Sequence, residues 1–261
     1  MEILVCIKQV PDTAEVKINP ETNTVIRAGV PNIVNPFDKN GLEEALKLKE
    51  KHGGRVVVLS MGPEQAKEAL RECLAIGADE AYLVSDRVFG GADTLATSYT
   101  LAKAIEKLGK FDIIFCGKQA IDGDTAQVGP QIAEALDIPQ ITYAAAVDVE
   151  GTTIRVKREH EEGYEIIETT LPVLLTAVKD LNEPRFPSIK GKMKAKKKEI
   201  PVWTAADLDV DPERIGLKGS PTKVKGIHTP SQRSQGLLIQ EEDAEAAVAV
   251  LVSKLQENKL I

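Results

Sequence analysis

Between Gly117 and Pro139 the chain carries its clearest chemistry-bearing stretch, Asp122-Gly123-Asp124-Thr125-Ala126-Gln127-Val128-Gly129-Pro130 followed by Gln131-Ile132-Ala133. An apolar run, Ile113-Ile114-Phe115-Cys116, precedes it, and Ala126, Val128, Ile132, Ala133 and Leu136 follow close to helical spacing. A buried strand that delivers a small polar loop to a helix start turns backbone N–H groups towards an anion, and phosphate has the matching size. The same residues also make an ordinary strand-loop-helix joint, and spacing alone does not choose between the two.

Other chemistry is not supported by the residues. Ser, His and Cys are scattered, no Gly-x-Ser-x-Gly elbow occurs, and no nucleophile can be matched with a base. The 3 His and 3 Cys show no HxxxH or CxxC spacing, so neither a metal site nor a disulfide framework is expected. The loop after the first strand, Lys8 to Thr13, lacks the glycines of a nicotinamide-type fingerprint, and no Walker A sequence is found. Phe89-Gly90-Gly91-Ala92-Asp93-Thr94 is similar to the Ser-Gly-Gly-x-Asp-Ser loop of ATP pyrophosphatases, but without the leading Ser and after the third strand; it reads as a turn before a capped helix. Such silence about catalytic side chains fits a protein whose chemistry belongs to a bound cofactor.

The elements that position this loop follow from periodicity. Ile3 to Ile7 is a β-branched apolar run of the kind covered on both faces of a parallel sheet. A short hairpin is expected from Val16 to Arg27 around Pro20-Glu21-Thr22-Asn23. Asn35-Pro36-Phe37-Asp38 then leads into a helix over Lys39 to His52 with Asp38 as its cap. Arg55 to Met61, a helix through Gly77, Glu80 to Ser85 and a helix over Asp93 to Leu108 continue the alternation, which makes the phosphate-sized loop part of a fourth βα unit. Ile141 to Val149, Thr153 to Lys157, Tyr164 to Thr169 and Val173 to Val178 read as an antiparallel meander.

After Asp180 the character changes. Asn182-Glu183-Pro184-Arg185-Phe186-Pro187 reads as an extended loop, Lys190 to Lys198 is dominated by lysine, and Asp209 to Gly236 reads as a long arm. Glu241 to Leu260 restores helical spacing, and a helix behind such an arm suits a partner subunit. We therefore expect a nucleotide-binding α/β domain over residues 1–206 and a C-terminal arm and helix over 207–261. A net charge of −7 argues against nucleic acid as a partner. The apolar run at the N-terminus is too short for a signal peptide or membrane span, so a cytoplasmic location is expected and a membrane role is not.

The run Val156 to Thr176, VKREHEEGYEIIETTLPVLLT, carries a resemblance: Val156, Arg158, Glu161-Glu162-Gly163, Glu165, Ile167, Pro172 and Leu174-Leu175-Thr176 fall at the spacing found in the β subunit of electron-transfer flavoproteins. The chain resembles that subunit from Met1 to at least Ala206. The resemblance implies an open parallel sheet of the adenine-nucleotide α-hydrolase-like type, with added antiparallel strands and an extended C-terminal arm that reaches round an α subunit in a heterodimer. It also implies nucleotide contacts at Cys6, at Asn35, Pro36, Phe37 and Asp38, at Met61, and along the run from Asp122 to Ala133.

The family has a branch that keeps AMP as a structural nucleotide and a branch that binds a full FAD in the β subunit. In the second, NADH is oxidised there, one electron goes to ferredoxin or flavodoxin and the other onward to an acyl-CoA dehydrogenase or reductase. Asp122 to Pro130, and Val10-Pro11-Asp12-Thr13 in the first loop, are similar to the FAD branch. Gly123 and Ala126 lower bulk and negative charge where a diphosphate would lie. By the same resemblance Glu159 matches a glutamate near the α-subunit flavin that influences electron transfer, and Ile189 an apolar anchor that docks into the dehydrogenase; each is equally a solvated strand charge or a chance exposed aliphatic. The competing class on the same sheet is an ATP-using ligase or stress-type nucleotide-binding protein.

Overall fold

The structure, a computed structural model, describes residues 1–12, 17–19, 24–26, 31–226 and 236–261. Thr13, the expected hairpin turn at 20–23, and part of the expected arm, 227–235, lie outside the described residues. β1 (Glu2–Cys6) is followed by β2 (Gln9–Pro11), by the antiparallel pair β3 (Lys17–Asn19) and β4 (Thr24–Ile26), and by β5 (Asn32–Val34). β5 returns antiparallel to β2, so the stretch after β1 that sequence presents as loop is partly a small ribbon.

Then come α1 (Pro36–His52), β6 (Arg55–Met61), α2 (Lys67–Ile76), β7 (Glu80–Val84), α3 (Thr94–Leu108), β8 (Ile113–Gly117) and α4 (Val128–Leu136). β9 (Gln140–Glu150), β10 (Thr153–His160), β11 (Gly163–Thr170), β12 (Val173–Ala177), α5 (Ile189–Lys197), β13 (Val202–Trp203) and α6 (Ala244–Glu257) complete the chain. The main sheet has 9 strands in the order β11-β10-β9-β12-β8-β1-β6-β7-β13.

β1 runs parallel to β6 and β8 with Leu4 beside Val57 and Ile114. Because successive side chains alternate faces, Ile3 and Val5 pack with Leu42, Leu46 and Leu70 of α1 and α2. Leu4 and Cys6 pack with Tyr99, Ile105 and Ile132 of α3 and α4 on the other side. Each such aliphatic side chain taken fully out of water contributes about 1.5–3 kcal/mol, which is what holds the strand ends in register.

The expected meander is corrected at its last strand. β9, β10 and β11 are antiparallel neighbours, but β12 inserts parallel between β9 and β8. Every residue of β12 is buried whereas β11 is largely exposed, the difference between a strand covered on both faces and an edge strand. The lysine run forms α5, capped by Ser188 and seated on α2 through buried Ala195 and the bond from Arg71 to its carbonyl at 2.7 Å.

The first part of the stretch read as an arm is packed: Leu208 and Ile215 are buried in the α3/α4 cluster, and Leu217 N donates to Gly90 O at 3.1 Å. Residues Met1–Gly226 form one compact unit and Ile227–Ile261 a second. Within the second, α6 is capped by Asp243, whose carboxylate accepts from Ala246 N at 2.8 Å. Among the described residues no helix is long and apolar enough to cross a membrane.

Candidate functional site

The carboxyl ends of β1, β6 and β8 lie side by side in the sheet, where an open parallel sheet receives its ligand. Cys6 closes β1, Met61 closes β6 and Gly117 closes β8. Cys6 and Cys116 are buried under this edge, and the Cys116 thiol is pushed well up by its hydrogen bond with Cys6 and by burial, so it stays protonated and unreactive.

Asp38 is the hub of the edge. It is not the cap of α1, as expected from sequence, because the helix begins earlier at Pro36, whose fixed φ and missing N–H suit a first turn. Asp38 therefore points inward, buried: its Oδ2 accepts from Lys8 N at 2.7 Å, and its Oδ1 from Gly117 N at 3.1 Å and Asn35 Nδ2 at 2.8 Å. Burial pushes its carboxyl up to about 7, opposed by the bonds from Asn35, Lys8 and Gly117 and by the Lys8 charge. Asn35, also buried, carries the same network to the next loop: its Nδ2 donates to Gln119 O at 2.9 Å and its Oδ1 accepts from Ile121 N at 3.2 Å.

Glycine is required at two points of this edge. A Cβ on Gly117 would lie 2.3 Å from Asp38 Oδ1 and 2.8 Å from Phe37 Cβ, and one on Gly129 would lie 2.8 Å from Thr176 Cγ2. α4 is thereby seated directly on β8 and β12, with Ile132 and Ala133 turned wholly into the core. Gly123, by contrast, has nothing within 4 Å of where its Cβ would be.

The loop itself is shaped by left-handed residues, Asp124 at φ 49° and Ala126 at φ 54°. For alanine that conformation costs about 1–2 kcal/mol, a strain held in place by the surrounding contacts. Among the described residues, the backbone N–H groups of Thr125, Ala126, Gln127, Val128 and Gly129 donate to no protein acceptor, and no side chain caps α4. Both loop carboxylates are drawn aside, Asp122 by Lys8 Nζ at 2.6 Å and Asp124 by Gln119 Nε2 at 2.6 Å. Orphan donors on a helix start, with one nearby carboxylate paired to a cation and the other hydrogen-bonded to an amide, suit a phosphate group.

Of the residues singled out from sequence, Cys6, Asn35, Pro36, Phe37, Asp38, Met61 and Asp122 to Pro130 lie on the carboxyl-end segments that meet around this network. Gln131 accepts from Ser98 Oγ at 3.4 Å. Glu159 stands elsewhere, in β10 opposite Tyr164, with β9 and β12 between its strand and β8. Ile189 opens α5 and is 82% exposed. Sequence reasoning passed over Lys8, Gly117 and Gln119. A cation directly after the first buried strand and a glycine ending the fourth were the available signals.

The Phe89 to Thr94 segment is a turn: Asp93 caps α3 by accepting from Leu95 N and Ala96 N, and its second oxygen accepts from Thr222 N. No phosphate-facing carboxylate is left there.

A sequence profile described as the electron transfer flavoprotein domain matches residues 22–208. An electron transfer flavoprotein subunit beta of Megasphaera elsdenii is 62% identical over 100% of both chains. One from Clostridium acetobutylicum is 59% identical, again over 100% of both. The Caffeyl-CoA reductase-Etf complex subunit CarD of Acetobacterium woodii is 53% identical over 100% of both.

Proposed function

Since the chain belongs to the electron transfer flavoprotein family, as a β subunit, we propose that its carboxyl edge holds FAD as a redox group rather than AMP as a structural one. The observation that carries this reading is the run of orphan N–H groups from Thr125 to Gly129, beside two carboxylates tied away from it. A run of several donors matches the length of a diphosphate, and the open space over Gly123 leaves room for it. Bound there, FAD would supply the step between NADH as a two-electron donor and one-electron acceptors, in the sense of electron bifurcation.

The chain's own residues bind and orient. The backbone from Thr125 to Gly129 and the Gln127 side chain hold the phosphates; Asn35 and Asp38 fix the two loops that flank them. In this reading an α subunit completes a cytoplasmic heterodimer, and the second unit, residues 227–261, contributes the arm that wraps it. Electrons leave to an acyl-CoA dehydrogenase or reductase and to ferredoxin or flavodoxin. CarD, named for a caffeyl-CoA reductase complex, supports the first of these acceptors. Glu159 lies on the strand expected to face the α-subunit flavin and Ile189 on the surface expected to meet the dehydrogenase.

The test is a cofactor count on the purified heterodimer. A second FAD, bleached by NADH, is expected; a single FAD with AMP in the acid extract would replace this reading with the structural-nucleotide one. A colourless protein that hydrolyses ATP would replace both.

A further inference from the structure

Lys8 stands just past the carboxyl end of β1. Its backbone is fixed on both sides, the N–H donating to Asp38 Oδ2 at 2.7 Å and the carbonyl accepting from Asn35 N at 2.9 Å. The buried network thus sets where its side chain begins, and only the side chain is free to move. The ammonium meets Asp122 Oδ1 at 2.6 Å with the lysine side chain 48% exposed. An ion pair so open to water is worth only about 0–1 kcal/mol, so a better partner displaces it at little cost. Asp122 belongs to the same loop as the orphan N–H groups of Thr125 to Gly129, which places the only strong cation seen bonding to that loop among the described residues beside its donors.

We propose that Lys8 is a phosphate-binding residue of the nucleotide site, which on binding leaves Asp122 for a phosphate oxygen. This rests on the reading of the edge as a nucleotide site. Lysine acts here as a point charge: a diphosphate, with two negative charges in all, attracts it more strongly than one carboxylate, and Asp122 turns to water. The Lys8–Asp122 pair also has a use before binding, since it keeps the carboxylate from occupying the donors intended for the ligand.

Calorimetric titration of the nucleotide-depleted heterodimer with adenosine, AMP, ADP and FAD tests the assignment. In Lys8→Met, adenosine is expected to bind as in the unaltered protein while AMP, ADP and FAD weaken by about 10- to 100-fold, the range for one lost charge-assisted contact. Lys8→Arg should restore most of that loss. Asp122→Asn, which releases the ammonium in advance, should tighten ADP. Equal weakening of adenosine and ADP in Lys8→Met would make Lys8 a mere prop for the loop and overturn the proposal, as would no change for any ligand. If the unaltered heterodimer binds none of the four, the nucleotide reading itself fails, a result distinct from either.

Discussion

Asn35 donates its side-chain amide to Asp38 Oδ1 at 2.8 Å, and between them these two buried residues tie together the chain after β1, the end of β8 and the loop that follows it. Both ends of the pair are committed to protein partners. Their contribution to a ligand is to fix where the loops stand, and the consequences can be measured without one.

The first consequence concerns pH. Burial raises Asp38 to about 7 from 3.8, so between those values the folded chain keeps a proton that the unfolded chain has released. The stability this group contributes is full below the lower value and is lost as pH rises through the upper one. Asp38→Asn removes that titration and sets an amide N–H against the donors of Lys8 or Gly117, a mismatch of about 1–3 kcal/mol. Urea midpoints should change less with pH in the variant than in the unaltered protein, with the variant's deficit largest below the ordinary carboxylate value of 3.8 and shrinking as pH rises through about 7.

Glycine substitutions separate folding from binding. Gly117→Ala drives a methyl into the Asp38 carboxylate and the Phe37 side chain, and Gly129→Ala drives one into Thr176. Overpacking of this kind costs about 1–3 kcal/mol, which denaturant unfolding would register. Gly123→Ala meets nothing and should stay within about 0.5 kcal/mol of the unaltered protein. Its expected effect is on FAD affinity, measured by flavin fluorescence; unchanged affinity would mean that the ligand does not approach Gly123.

Much of this architecture could be read from the chain because the parallel strands are short and built on apolar runs such as Ile3 to Cys6, Val56 to Leu59 and Ile113 to Cys116, with glycine at or just past the ends of β6 and β8. β12 misled because Val173–Ala177 is buried on both faces like β1 and β8, yet follows three strands that do form a meander; chain order does not encode insertion between earlier strands. The role of Asp38 was hidden for a related reason. Asp before a helix is normally an exposed cap, and only the long-range approach of Lys8 and Gly117 turns it inward. Residues 208–217 were read as arm because single anchors such as Leu208 and Ile215 make no periodic pattern.

The segment before α5 is clamped. Arg185 donates to both oxygens of Glu43, Nε to Oε2 at 2.9 Å and Nη2 to Oε1 at 3.0 Å, and also pairs with Glu50, which holds the guanidinium well above its ordinary range. Glu43 is 4% exposed, so Arg185→Ala leaves a buried carboxylate without its cation. The expected cost is about 1–3 kcal/mol. Because the backbone N–H of residue 185 also donates to Glu43 Oε2 at 3.0 Å, hydrogen–deuterium exchange over Asn182–Phe186 should be faster in the variant than in the unaltered protein; equal rates would show that the clamp does not restrain the segment.

Ile189 provides the sharpest separation between stability and partner binding. It stands 82% exposed at the first position of α5, and Met193, 64% exposed, follows one turn later on the same face. An aspartate at a first helical position faces the positive end of the helix dipole and adds about 0.3–1 kcal/mol, so Ile189→Asp should fold at least as well as the unaltered chain. Its flavin content should be unchanged, because the residue lies in none of the segments of the nucleotide edge. If the proposed acyl-CoA dehydrogenase is the acceptor, its reduction by the variant heterodimer should nevertheless slow, through loss of an apolar contact worth about 1.5–3 kcal/mol when fully buried against a partner. Stopped-flow measurement at several dehydrogenase concentrations distinguishes a raised half-saturating concentration, expected for a docking residue, from a lower limiting rate. An unaltered concentration dependence would remove Ile189 from the docking surface.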